Sequence, residues 1–191
     1  MLFKLNDLKK ASAVAETKTA DSLAIGGKFI FLEGDKLSKL SAKIGELHIG
    51  KSIYFKTDGA WSAIDLIEYC LSQTGASNVY FSTWSIGPEA IRCFNEWQKK
   101  GLVKSIFGII DEGFRNRKPD LFEQAKQAFP TLRFSKSHAK VTVIQSEKLS
   151  ITLMGSANMT KNPRIEVGVV IVDQVLAEEN IKWILNSISN G

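Results

Sequence analysis

The chain has 191 residues, 44% of them hydrophobic, enough for one compact α/β domain with a modest extension. No apolar run reaches the roughly 18 to 20 residues of a membrane span, and the charged start of the chain lacks the apolar stretch of a secretory leader. These features predict a soluble, intracellular protein of the cytoplasm with no membrane partner. The net charge is +5. Between positions 111 and 164 there are ten Lys or Arg against five Asp or Glu, so this stretch carries the whole excess and the remainder is neutral. Such a bias suits a polyanionic partner, although a solvated basic face would show it too. Two cysteines, Cys70 and Cys93, fall in amphipathic helical patterns and read as reduced core thiols. Two histidines, His48 and His138, are too few for a His-rich metal centre, and no metal or cofactor is expected.

In chain order, residues 1–20 carry no sustained period and read as a short helix or loose arm. Residues 23–33 (LAIGGKFIFLE) read as a strand and 36–47 as a short helix that Gly45 and Gly50 help to end. These form an N-terminal extension, 1–50, to a domain proper of 51–191. There SIYFK is a strand, followed by Thr57-Asp58-Gly59 and a helix over 60–73 with Asp58 as N-cap. NVYFSTW is the next strand, and Pro88 stands at the first turn of a helix to position 100. VKSIFGII leads through a basic loop, 114–118, to a helix over 119–129. Strand and helix alternating three times predict βαβ units and a parallel sheet.

After Pro130 the pattern turns to short strands, LRF, AKVTVI, SITLM and IEVGVVIV, before a closing helix over 177–188. The short polar link 145–148 predicts a hairpin between AKVTVI and SITLM. The fold class is therefore α/β, with a mixed, mostly parallel sheet flanked by helices.

One constellation carries chemistry. In His138-Ala139-Lys140-Val141-Thr142-Val143, period-two alternation places His138, Lys140 and Thr142 on one face, with Ala139, Val141 and Val143 toward the core. Downstream, Gly155-Ser156-Ala157-Asn158 stands at a strand end, where the glycine allows a tight turn and the hydroxyl and amide donate hydrogen bonds. Arg164 and Glu166 follow. Displacement at phosphorus needs a nucleophile, clamps for the nonbridging oxygens and an acid for the leaving alkoxide. His138 can attack, Lys140, Asn158 and Ser156 can hold oxygens, and Glu166 can orient the imidazole. A protonated acid is missing from this set.

The segment HAKVTVIQSEKLSITLMGSANMTKNPRIE resembles the signature of the phospholipase D superfamily: His-x-Lys, then Asp, then Gly-Ser-x-Asn, with a Glu downstream. It departs from that signature at Gln145, where the family has a structural Asp, and its gap to Gly155 is a few residues longer than the commonest form. The resemblance implies a phosphohistidine mechanism without metal, in which a second copy of the motif supplies the acid. His48 is followed at the second position by Gly50 and by no Gly-Ser-x-Asn, so a single motif implies a homodimer that faces itself.

Short single-motif chains resemble the bacterial nuclease branch, which makes the expected enzyme a phosphodiesterase acting on DNA or RNA. Arg115, Arg117, Lys118, Lys136 and Arg164 are the candidate contacts to substrate phosphates. Phe114 is the candidate for base stacking, while Trp61, Trp84 and Trp97 read as packing. Two alternatives stay open: a phospholipase or phosphatidyl transferase, and a non-catalytic nucleic-acid-binding module of the same fold.

Overall fold

A computed structural model describes residues 29–33, 42, 44–161 and 163–190. The arm expected at 1–20, the start of the strand at 23–33 and most of the helix at 36–47 lie outside the described residues. Eight strands form one sheet: β1 (Phe29–Glu33), β2 (Ser52–Lys56), β3 (Ser77–Thr83), β4 (Val103–Asp111), β5 (Thr131–Ser135), β6 (Val141–Gln145), β7 (Ser150–Gly155) and β8 (Val167–Val172). Their spatial order is β1-β2-β8-β7-β6-β3-β4-β5. The helices are α1 (Ala63–Thr74), α2 (Pro88–Lys99), α3 (Phe114–Arg117), α4 (Pro119–Ala128) and α5 (Gln174–Ser189). Among the described residues, no helix is long and apolar enough to cross a membrane.

The sheet is mixed but not mostly parallel, which corrects the expectation from sequence. Parallel ladders join β1 to β2, β3 to β4 and β4 to β5. The four ladders along β2-β8-β7-β6-β3 are antiparallel. The cause is the chain length between strands. The turn at 146–149, closed by Ser146 N–H donating to the Leu149 carbonyl at 2.9 Å, is too short for the crossover that a parallel return requires. Alternation of helices with β3, β4 and β5 produces parallel neighbours, as expected.

Helices cover both faces. On one, α1, α2 and α4 pack over Phe81, Ile144 and Val170 of the sheet, with Phe94 and Trp97 of α2 and Phe129 at the end of α4 in the same core. On the other, Ala177 and Ile184 of α5 close over Tyr80, Ile109 and Val143. The fully buried Phe81 touches Phe94 and Phe129, each with ring centroids 5.9 Å away. Each such ring contributes about 1.5–3 kcal/mol by leaving water. Ile44 and Leu47 belong to the same core, and β1 extends the same sheet, so these parts of the 1–50 stretch are built into the body of the fold. Cys70 is a free core thiol that burial pushes up to about 12, and Cys93 is also free.

Three local expectations are corrected. Asp58 is not the cap of α1. It takes φ +48° and Gly59 takes +73°, forming a turn in which Ala60 N–H donates to the Thr57 carbonyl at 3.0 Å. The cap is Ser62, reciprocally bonded with Asp65 in a capping box. The stretch after β4 is the short helix α3 rather than a loop, and its Phe114 is fully buried, so the ring is not free to stack on a base. Finally, β6 begins at Val141, so His138 and Lys140 precede the strand. Both of its faces are covered, with Thr142 and Ile144 on one side and Val143 under α5 on the other.

Gly155 and Gly168 face each other across β7 and β8. A Cβ on Gly155 would lie 2.3 Å from the Val167 carbonyl oxygen, and one on Gly168 would lie 2.5 Å from the Met154 carbonyl oxygen. The motif glycine is thus required by close strand approach rather than by a tight turn. Replacing Gly155 by Ala should destabilise the protein by about 1–3 kcal/mol. Urea unfolding with an unchanged m-value would measure this, and a wild-type midpoint would show that the strands have room to separate.

Candidate functional site

Because β6 runs antiparallel to β3 with Val141 opposite Ser82, the residues that lead into β6 lie beside those that follow β3. His138 therefore meets Trp84, with ring centroids 5.9 Å apart and planes inclined by 58°. Ser137 and Ser82 share a hydrogen bond at 2.8 Å that ties the two segments together. The carboxyl ends of β3, β4 and β5 gather here, the usual place for a ligand site in a sheet with parallel strands. The end of β7 and the start of β8 arrive at the same edge through the remaining antiparallel ladders.

Lys140 lies against His138. Its Nζ donates to the His138 carbonyl at 2.8 Å and stands 3.2 Å from Nδ1 of the ring. An ammonium only donates, so the ring nitrogen that faces it accepts. Burial lowers the Lys140 pKa from the ordinary lysine value, and the carboxylates of Glu166 and Asp111 oppose that shift. Lys140 also borders a small cavity of about 30 Å³, together with Leu66, Thr142, Leu153 and Met159.

The Gly-Ser-x-Asn segment is docked on the turn after β3. Gly87 N–H donates to the Met159 carbonyl at 2.8 Å, and Thr83 Oγ1 donates to Asn158 Oδ1 at 3.4 Å. Ser156 hydroxyl donates to Glu166 and accepts from the Val167 N–H at 3.1 Å. Glu166 is thus engaged by Ser156, whereas the His138 ring is engaged by Lys140. Thr57, buried at the end of β2, fixes Glu166 through its backbone: Thr57 N–H donates to the Glu166 carbonyl at 2.9 Å, and Glu166 N–H donates to Thr57 Oγ1 at 3.1 Å.

The five cationic candidates differ in their engagement. Arg117 is held by Asp111 at 2.8 Å, by the Trp84 carbonyl at 2.9 Å and by the Trp84 ring, 3.9 Å from its guanidinium carbon. Arg115 lies over Phe122 at 5.6 Å. Lys136 makes a loose, exposed ion pair with Glu112 at 4.0 Å, of the kind worth little. Lys118 and Arg164 are exposed. All five follow β4 or β5, or precede β8, so they rim the same edge of the sheet as His138.

His48 sits at the other edge: it precedes β2, whose first residue Ser52 pairs with Ile171, while Glu166 adjoins the opposite end of that ladder. Gln145 ends β6 opposite Asn78 and Ser150, also away from His138. Sequence reasoning missed Trp84 and Asp111 as members of the site. Their position at the carboxyl ends of two consecutive parallel strands was the available signal. Among the described residues, no three His, Cys, Asp or Glu side chains gather in a way that would hold a metal.

No protein-family model and no curated protein matches this sequence. Among solved structures, the chain is similar to polyphosphate kinase from Porphyromonas gingivalis, with a TM-score of 0.56 and 10% identity. The overlay covers 73% of this chain and 26% of that one, so the likeness is to about a quarter of the larger protein. At this identity the likeness shows shared architecture and nothing finer. A second overlay, with TrmBL2, an archaeal chromatin protein, has a TM-score of 0.48 and 12% identity, covering 97% of this chain and 62% of that one.

The Lys140 environment yields a signed prediction. The Glu166 carboxylate raises the Lys140 pKa against the effect of burial, so Glu166→Gln, which keeps an acceptor for Ser156, should lower the Lys140 pKa further. A ¹⁵Nζ titration of Lys140 reads this directly, and an unmoved titration would uncouple the two groups.

Proposed function

We propose that this protein is a metal-independent phosphodiester hydrolase, most simply a nuclease, working through a phosphohistidine on His138. The observation that carries this is the convergence of imidazole, ammonium, amide and carboxylate from separate segments at one strand edge, with Lys140 Nζ 3.2 Å from the His138 ring. On binding, a nonbridging phosphate oxygen takes over the Lys140 ammonium, and Asn158 steadies a second oxygen. The freed ring nitrogen attacks phosphorus, the bond from phosphorus to the leaving oxygen breaks, and that oxygen takes a proton from a second imidazole. Water then attacks the phosphorus, its proton passes to the second imidazole, and the bond from phosphorus to the His138 nitrogen breaks, which restores the free imidazole.

The second imidazole comes from another copy of the chain, because His48 lies at the wrong edge of the sheet. A twofold axis beside the site places two His138 rings around one phosphate. Supporting this is the rim of the site itself, where Ile165 is 64% exposed and Val167 39% exposed on either side of Glu166. The ring of cationic side chains favours a polyanionic chain as substrate, with Lys118, Lys136 and Arg164 reaching backbone phosphates.

Cleavage of labelled DNA or RNA should persist in EDTA, since Lys140 supplies the charge that a metal would otherwise provide. His138→Ala should lower turnover by about 10⁴-fold or more. A strict divalent-ion requirement, or release of headgroup from lipid vesicles in place of nucleic-acid cleavage, would replace this mechanism or this substrate.

Light scattering should report twice the 21.2 kDa chain mass. Mixed dimers carrying one His138→Ala subunit should be almost as inactive as the double variant, because each shared phosphate needs both rings. An active monomer would defeat the dimeric arrangement.

A further inference from the structure

Trp84, Arg117 and Asp111 form a stack that the phosphodiesterase chemistry above leaves without a task. The indole is in contact with the His138 ring, at 5.9 Å between centroids, and carries the Arg117 guanidinium at 3.9 Å from its own centroid. Arg117 has three attachments, to the Asp111 carboxylate, the Trp84 carbonyl and the Trp84 ring. Its carrier, the short helix α3, is anchored by the fully buried Phe114. A guanidinium already committed in this way has little to offer a passing phosphate, and an indole with a cation lying on it is a poor platform for a base.

A second observation shows that the stack is built. Gly113 has ordinary helical angles, φ −67° and ψ −9°, so its backbone does not require glycine. The space beside it is taken: a Cβ there would lie 2.4 Å from an Arg117 guanidinium nitrogen and 3.1 Å from Asp111 Oδ1, so a side chain at 113 would displace the end of Arg117 from this arrangement. The missing side chain is what lets the Arg117–Asp111 pair close beneath Trp84.

We infer that Trp84, backed by Arg117 and Asp111 in the space left by Gly113, is the wall that holds the His138 imidazole in its attacking orientation, and that Arg117 is a positioning residue rather than a substrate contact. The inference rests on the reading of His138 as nucleophile, but its structural half does not need turnover. A planar, charged group stacked on the indole resists rotation of that ring, and the indole edge or face limits the torsions open to the imidazole beside it. Lys at position 117 would keep the charge and lose the planar stack.

The test uses Gly113→Ala, Arg117→Ala and Arg117→Lys in the full-length protein, read in two ways. The first is the ring resonances of the two histidines in ¹H–¹³C spectra, with His48, exposed at the far edge of the sheet, as internal reference. All three variants should move the His138 signals toward those of an unrestrained imidazole and leave His48 unchanged. The second is steady-state cleavage of a nucleic-acid substrate, where kcat should fall about 10- to 100-fold, as for a displaced reacting group. KM and the dependence on salt should stay near wild type. Unmoved His138 signals overturn the inference. So do a rise in KM with kcat intact, a shallower salt dependence in Arg117→Ala, or rescue by Arg117→Lys, all marks of a phosphate contact. If the wild-type protein cleaves nothing while the His138 signals still respond, the positioning stack stands and the nuclease assignment alone has failed.

Discussion

An antiparallel neighbour of a strand begins where that strand ends, and the site depends on this constraint. The pairing of β6 against β3, with Val141 opposite Ser82, sets the approach to β6 beside the exit from β3. Were β6 parallel to β3, His138 and Lys140 would arrive at the opposite edge, far from Trp84 and Asp111. The next two ladders propagate the effect, since β7 must end and β8 must begin at the same edge. One pairing decision therefore gathers His138, Asn158, Glu166 and Trp84.

The gathered groups are held by backbone more than by one another. Thr57 grips Glu166 through both of its peptide groups, and the Gly155–Gly168 approach brings Ser156 close enough to engage Glu166 and Val167. The segment that carries Asn158 is pinned on the turn after β3 through Gly87 and Thr83. Such supports fix position at small cost in side-chain entropy, because strands and tight turns are already ordered. Lys140 is the exception. Its ammonium is partly desolvated, which lowers its pKa, and the carboxylates of Glu166 and Asp111 oppose that shift.

Charge around the site is divided between committed and available groups. Arg117 is neutralised by Asp111 and occupied by Trp84, while Lys118 and Arg164 extend into solvent. A count of basic residues treats these as equal. Their geometry separates a structural cation from those open to phosphate.

The sequence by itself determined the elements and the list of reactive groups, because these follow from local rules. Apolar alternation marks β6 and β7, a four-residue polar link forces their hairpin, and Pro88 and Pro119 open helices where a missing N–H costs nothing. The same locality explains the misses. Capping by Asp58 was a sound local expectation, overruled when the Asp-Gly pair was used for a turn and Ser62 with Asp65 formed the box. Phe114 read as exposed among Arg115 and Arg117, yet the chain turns there into α3 and buries the ring. What only the tertiary structure decided was the company each side chain keeps. The placement of Trp84 against His138 joins residues far apart in sequence, through a strand pairing whose register no local pattern encodes, while the partnership of Glu166 with Ser156 and the space beside Gly113 depend on how the chain turns at the strand ends.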